Sequence, residues 1–177
     1  MKILIMESSP HKNGSSNLLA ENFARGAIES GHSVEVFDVA KAKIHPCLAC
    51  EACGMSGPCV QNDDMSKLKE KILQADMVVF VTPLYYFGMS AQLKTAIDRC
   101  YSFNSNLHAK DLKTVLIATS WDSNEVKMQP LVVHYQMICR YLGFKDNGMI
   151  LGLGCGTPSM TNRTDYPRKA YELGKSI

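Results

Sequence analysis

The feature that most constrains the fold of this chain is an alternation of short apolar runs with stretches of helical period. The clearest run, Met77 to Val81, contains no polar residue, which is typical of a parallel strand covered on both faces. Similar short runs begin at Lys2, Val34, Thr114 and Met149. Each is followed, directly or after a longer segment, by a helical pattern, so the sequence predicts parallel strands joined by crossover helices.

The helical patterns between the strands predict helices on both faces of the sheet, which gives three layers. Predicted helices run from Leu18 to Ser30, from Met65 to Leu73, from a cap at Ser90, from Leu131 to a stop at Gly143, and from Tyr166 to Lys175. The chain is therefore predicted to be an α/β protein, a flavodoxin-like three-layer sandwich with a five-stranded parallel sheet in the order 2-1-3-4-5. A single domain is expected over residues 1–177, with ligands at the carboxyl ends of the strands.

Composition excludes several classes of protein. The chain has 177 residues and a net charge of +2, which favours neither nucleic-acid binding nor a membrane surface. No apolar stretch approaches the roughly 18 residues of a membrane span, and the N-terminus does not read as a secretory signal. We therefore expect a cytoplasmic protein. Seven cysteines are many for a reducing compartment and need a chemical explanation.

A polar segment, Ser8 to Asn17, lies between the first predicted strand and the first predicted helix. A helix start offers unpaired N–H groups and partial positive charge, which together favour a bound phosphate. Asn13-Gly14 permits a tight backbone path. The alternative is a polar connection with an N-cap serine. The candidate anion-binding residues are Ser9, His11, Lys12, Asn13, Ser15, Ser16 and Asn17.

A cysteine-rich insertion at about residues 44–62, called the cysteine loop below, interrupts the alternation of strands and helices. It contains Cys47, Cys50 and Cys53 at intervals of three, and Cys59 after five intervening residues. Four such thiolates favour one [4Fe–4S] cluster. Zinc is a rival, although its sites more often use two separated Cys-x-x-Cys pairs. A loop that binds nothing, or that closes disulfides after oxidation, is the other alternative.

The ends of the later strands supply aromatic residues. Three aromatics follow the third strand between a proline and a glycine, and the only tryptophan follows the fourth strand. Such loops suit a flat ring, or else a contact with the core or another subunit. The glycines from Gly152 to Gly156 have the wrong spacing for a dinucleotide fingerprint. The candidate ring-binding residues are Pro83, Leu84, Tyr85, Tyr86, Phe87, Gly88, Ser120 and Trp121.

The chain resembles the NAD(P)H-dependent FMN reductases of flavodoxin-like fold, and among them the iron–sulfur flavoproteins. The resemblance rests on the polar segment, on the four cysteines followed by Asp63-Asp64-Met65, and on Thr82 to Ser90. It implies FMN with its phosphate on the first loop and its ring against Pro83 to Gly88 and Ser120–Trp121. It also implies a homodimer or homotetramer with the flavin near a subunit interface.

Two functions follow from these features. In the first, the chain is an FMN-dependent oxidoreductase that moves electrons from NAD(P)H to a small acceptor such as a quinone or a flavin. In the second, it is an electron carrier or redox sensor that holds FMN and a cluster and is reduced by a ferredoxin-like donor. In both, the flavin carries the chemistry, so no catalytic side chain is predicted. A zinc-stabilised binding module is a distant third.

Overall fold

The computed structural model describes residues 1–177 and contains one five-stranded sheet. All pairings are parallel, in the order β2-β1-β3-β4-β5, so the predicted flavodoxin-like order is confirmed. The strands are β1 (Lys2–Glu7), β2 (Ser33–Asp38), β3 (Met77–Pro83), β4 (Lys113–Thr119) and β5 (Lys145–Gly152).

Seven α-helices connect and cover the strands. The sequence pattern predicts the longer ones and misses the two short ones at Asn104–His108 and Pro158–Thr161, together with 3₁₀ turns at Cys100–Phe103 and Glu125–Met128. None of the helices combines the length and apolar composition needed to cross a bilayer. The helices are α1 (Ser15–Glu29), α2 (Met65–Gln74), α3 (Ala91–Arg99), α4 (Asn104–His108), α5 (Gln129–Leu142), α6 (Pro158–Thr161) and α7 (Tyr166–Ser176).

Two hydrophobic cores lie on opposite faces of the sheet because successive strand residues point to opposite sides. Leu4 and Phe80 belong to the larger core, with α2, α3 and α5. Ile5 and Val79 belong to the smaller core, with α1 and α7. Each fully buried side chain of this size contributes about 1.5–3 kcal/mol. The central strands thus read as unbroken apolar runs because both of their faces are covered.

Helix ends follow the predicted local chemistry. The Ser90 side chain accepts a hydrogen bond from the Leu93 N–H and caps α3. Pro130 lies in the first turn of α5, and Gly143 ends that helix with a φ of 70°. At α2, Asp64 is the cap residue but makes no side-chain cap bond, and the Asp63 carboxylate accepts from the Met65 N–H instead.

The fifth strand begins four residues before its predicted start. Lys145 and Asp146 are polar and exposed, yet they pair with Lys113 and Thr114 of β4. β5 is an edge strand, so polar residues at its open side cost little. The apolar pattern therefore marks only the buried half of this strand.

Candidate functional site

One cavity of about 460 Å³ opens where β1, β3, β4 and β5 end. We call it the strand-end cavity. The carboxyl edge of a parallel sheet is where such folds bind ligands, and a cavity of this size can bury a small cofactor. Of the predicted residues, those that line it are Ser9, His11, Asn13, Ser15, Ser16, Pro83, Leu84, Tyr85, Ser120 and Trp121.

The loop after β1 presents hydrogen-bond donors that the protein itself does not use. The backbone N–H groups of Ser15, Ser16 and Asn17 open α1 and have no backbone acceptor. The Ser15 hydroxyl is buried, has no hydrogen-bond partner and belongs to a residue of the cavity wall. Gly14 makes room, because an added Cβ there would lie 2.8 Å from Ser9 Oγ. Unused donors at a helix start fit a phosphate.

Two predicted residues of this loop, Lys12 and Asn17, do not line the cavity but brace the loop. The Asn17 amide donates to the Lys12 carbonyl at 3.2 Å, and the Ser16 hydroxyl donates to Asn17 Oδ1 at 3.4 Å. Ser9 Oγ accepts from the His11 N–H at 3.3 Å. These bonds fix the backbone that carries the free donors.

The aromatic loop after β3 is a tight two-residue turn. Tyr85 and Gly88 exchange backbone hydrogen bonds of 3.0 Å in both directions. The residues between them, Tyr86 and Phe87, have φ angles of 46° and 65°, a region that costs a non-glycine residue of order 1–3 kcal/mol. Tyr86 is fully exposed. Only Pro83, Leu84 and Tyr85 reach the cavity, whereas Tyr86, Phe87 and Gly88 do not line it.

The loops after β4 and β5 also line the cavity. Trp121, 72% exposed, lies against the backbone at Gly156, where any added Cβ would overlap the indole. The Cys155 N–H donates to the Ser120 carbonyl at 2.7 Å and joins the two loops. The cavity residues that the sequence analysis missed are Gly14, Thr119, Cys155, Gly156, Thr157 and Pro158. For the last four, the available signal was their position directly after a strand.

One titratable group lies just outside the cavity. Glu7 ends β1, and its register partner on β2 is Asp38. Burial, followed by the negative charges of Asp38 and Glu21, raises the pKa of the Glu7 carboxyl to about 7, while Lys41 opposes the shift. The Glu7 side-chain carboxyl is therefore partly protonated near neutral pH.

The four cysteines of the cysteine loop line a second cavity together. All four are free thiols. No three His, Cys, Asp or Glu side chains of the chain converge on a position for a single metal ion. The loop backbone adopts left-handed φ angles at Ala49, Glu51 and Met55. By contrast, Cys100 and Cys139 are buried in the larger core, as predicted from their helix faces.

A buried ion pair supports the cysteine loop. Arg99, at the end of α3, and Asp63 have side chains that are 1% and 3% exposed, and Arg99 Nη1 lies 2.7 Å from Asp63 Oδ2. Burial alone would raise the pKa of the Asp63 carboxyl, but hydrogen bonds from Arg99 and from the N–H groups of His45 and Met65 prevail and lower it to about 2. The pair is therefore ionised at all ordinary pH values.

A family model described as NADPH-dependent FMN reductase matches residues 1–137. The chain belongs to this family. An iron–sulfur flavoprotein of Archaeoglobus fulgidus is 28% identical over 179 residues, covering 100% of this chain and 79% of the relative. An FMN-dependent NADPH-azoreductase of Staphylococcus saprophyticus is 28% identical over 169 residues, covering 95% and 80%. The family assignment makes the chain an NAD(P)H-dependent flavin oxidoreductase.

Other iron–sulfur flavoproteins match 55–56% of this chain and only 48–52% of their own length. The matched region is therefore about half of this chain and about half of each of those relatives. Among solved structures, an NAD(P)H:quinone oxidoreductase from Methanothermobacter marburgensis superposes with a TM-score of 0.74, covering 99% of this chain and 96% of that one at 20% identity. That likeness confirms the fold.

Proposed function

We propose that this protein binds FMN in the strand-end cavity and passes electrons from NAD(P)H to a small acceptor such as a quinone or a flavin. The family supports FMN and a nicotinamide donor, and the name of the staphylococcal relative includes both. When bound, FMN accepts a hydride from a nicotinamide and gives up electrons to an acceptor. The protein's own part is to bind the cofactor and orient it.

The observation that carries this proposal is the set of unused donors at the start of α1. The Ser15 hydroxyl and three N–H groups are available to a phosphate, and no carboxylate lines the cavity to repel one. A charged acceptor strengthens such hydrogen bonds. Since the phosphate would be held at the helix start, FMN is expected and not FAD.

The remaining walls suit a planar ring. Pro83, Leu84 and Tyr85 at the end of β3 and Ser120 and Trp121 after β4 line the cavity together. The exposed aromatics Tyr86 and Phe87 next to this wall support a homodimer or homotetramer in which they are covered. The free thiols of the chain are in keeping with a reducing, cytoplasmic location.

The test is turnover of the FMN-loaded protein without oxygen, which would itself accept electrons from reduced flavin. Oxidation of NADPH and of NADH is followed at 340 nm with menadione, with free FMN, and with no acceptor. Acceptor-dependent oxidation that is lost on removal of FMN is the expected result. Flavin that runs as FAD after acid release, or a protein that takes up no flavin, would contradict the proposal.

A second candidate is an electron carrier with one [4Fe–4S] cluster on Cys47, Cys50, Cys53 and Cys59. The four thiols share one cavity without converging on a single point. A cubane binds each cysteine through a different iron, whereas zinc would draw all four sulfurs to about 2.3 Å from one ion. The spacing of the four cysteines favours a cluster over two separated zinc-binding pairs, and the relatives described as iron–sulfur flavoproteins support the same candidate.

Anaerobic reconstitution separates the two candidates. About four irons and four sulfides per chain, with reduction by a ferredoxin-like donor and no turnover of NAD(P)H, would favour the carrier. Cys50→Ser is the ligand variant, and Cys139→Ser, a core cysteine, is the matched control. Equal and negligible iron in wild type and Cys50→Ser would leave the oxidoreductase alone.

A further inference from the structure

The two ends of the cysteine loop meet on a single guanidinium. Arg99 Nη1 donates to the His45 carbonyl, just before Cys47, at 2.8 Å. Arg99 Nη2 donates to Cys59 Sγ, the last thiol, at 3.5 Å. The same two nitrogens also donate to the Asp63 carboxylate oxygens, at 2.7 and 3.2 Å. One side chain of α3 thus closes a loop that has no helix or strand of its own.

The chemistry of this contact is specific to arginine. A guanidinium presents five N–H donors in a fixed plane, and here four contacts use the two terminal nitrogens. The Nε–H is buried without an acceptor, and Arg99 lines the cavity that the four cysteines share. Arg99 therefore donates hydrogen bonds to the cysteine loop in addition to those that it makes to Asp63.

We propose that Arg99 is a positioning residue that clamps the cysteine loop and donates a hydrogen bond to Cys59 as a cluster ligand, which raises the reduction potential of the cluster. The second part rests on the cluster proposed above. Adding an electron to a cluster increases the negative charge on its thiolate sulfurs, so an N–H donor and a nearby cation stabilise the reduced form more than the oxidised form.

The test compares four proteins reconstituted with iron and sulfide without oxygen: wild type, Arg99→Lys, the double variant Arg99→Gln/Asp63→Asn, and Arg140→Lys. Arg140 lies exposed on α5 and is the matched control. Lysine keeps the charge but cannot span the three acceptors. The double variant replaces the ion pair by two neutral amides, so it remains informative if Arg99→Lys folds poorly.

Three quantities are measured: iron per chain, the cluster midpoint potential by an EPR-monitored titration, and hydrogen exchange of residues 45–62 in the iron-free proteins. In both Arg99 variants we expect a roughly tenfold lower ratio of reduced to oxidised cluster at a fixed potential, a shift of about 59 mV for one electron. We also expect exchange in the loop to be at least about tenfold faster, as local opening becomes easier. Arg140→Lys should match wild type in all three.

Each contrary outcome has its own meaning. Midpoint potentials that agree in wild type and both Arg99 variants overturn the donor role. Unchanged loop exchange overturns the clamp. Wild-type protein without iron removes the proposed cluster and the donor role with it, while the exchange measurement still decides the clamp.

Discussion

Ser8 and Ser90 share a buried hydrogen bond, in which Ser90 Oγ donates to Ser8 Oγ at 2.8 Å. Ser8 also donates to the Val81 carbonyl of β3 at 2.7 Å, and the Ser90 N–H donates to Thr82 Oγ1 at 2.9 Å. These bonds tie the loop with the free donors to the loop with the aromatics. The strand-end cavity is therefore held open by the protein's own contacts, and losing one free donor should weaken cofactor binding without harming the fold.

The Ser15 hydroxyl provides the sharpest test of that conclusion. Because the hydroxyl is buried without a partner, Ser15→Ala should not lower the free energy of unfolding of the cofactor-free protein and should raise it by up to about 1–3 kcal/mol. A hydrogen bond to a charged phosphate contributes about 1.5–3 kcal/mol, so the Kd for FMN should rise roughly tenfold to a hundredfold. Fluorescence titration of the flavin measures the Kd.

Riboflavin, which has no phosphate, should bind wild type and Ser15→Ala equally. Ser33→Ala, an exposed serine at the start of β2, is the control and should alter neither affinity. An FMN affinity of Ser15→Ala that equals wild type would show that this hydroxyl does not hold the phosphate.

Glu7 makes stability depend on pH in a direction opposite to that of an ordinary paired carboxylate. Its folded pKa is about 7 against an ordinary 4.5. Between these values the unfolded chain has released its proton while the folded chain retains it, so stability falls as pH rises through this window and is constant above it. Glu7→Gln removes the ionised form and should be the more stable protein above pH 7.

The expected gain is about 1 kcal/mol at pH 8, since solvent screens a half-exposed carboxylate, and it should vanish at pH 4. Urea unfolding of the cofactor-free protein at several pH values gives the comparison. Glu125→Gln, exposed in a turn after β4, should show no such trend. Parallel pH profiles for wild type and Glu7→Gln would contradict the assignment.

The buried ion pair gives a prediction about stability alone. Asp63→Asn leaves the Arg99 charge buried without its partner, which costs about 3–5 kcal/mol, a large part of the roughly 5–15 kcal/mol that holds a domain together. Asp165→Asn breaks only exposed pairs with Arg168 and Lys169 and should cost less than about 1 kcal/mol. Urea unfolding at pH 7 measures both.

The pH dependence has a definite sign here as well. The pKa of Asp63 is lowered from 3.8 to about 2, so its contribution is complete above 3.8 and is lost as pH falls through about 2. The difference in free energy of unfolding between wild type and Asp63→Asn should therefore become smaller below pH 3. If Asp63→Asn and Asp165→Asn lost the same free energy of unfolding at pH 7, burial would not determine how much the pair of Arg99 and Asp63 contributes to stability.

Local sequence pattern was sufficient to predict the fold and ten of the sixteen residues that line the strand-end cavity. The strand order follows from apolar runs and crossover helices, and the donors after β1 follow from serine, asparagine and glycine beside a helix start. The wall at Cys155 to Pro158 was missed because only the meeting of β4 and β5 brings it to the cavity. Arg99 and Asp63 lie 36 positions apart, and no local pattern indicates that they pair.

The turn at Tyr86 and Phe87 has a backbone geometry that composition alone does not reveal. Three consecutive aromatics suggest one wall, but the hairpin geometry leaves the last two, Tyr86 and Phe87, exposed. Both residues adopt left-handed φ angles that favour asparagine and glycine in a two-residue turn. Tyr86→Asn/Phe87→Gly should therefore stabilise the monomeric, cofactor-free chain by about 1–2 kcal/mol, as measured by urea unfolding.

The same variant tests whether Tyr86 and Phe87 contact the flavin or a second copy of the chain. Because Tyr86 and Phe87 lie outside the strand-end cavity, the variant should bind FMN with an affinity within about threefold of wild type. If these aromatics are covered by a second copy of the chain, light scattering should show a smaller assembly for the variant at equal concentration. Val133→Ala, which trims an exposed apolar residue of α5, is the control. An unchanged assembly together with a large loss of FMN affinity would place the two aromatics on the flavin and not on a partner chain.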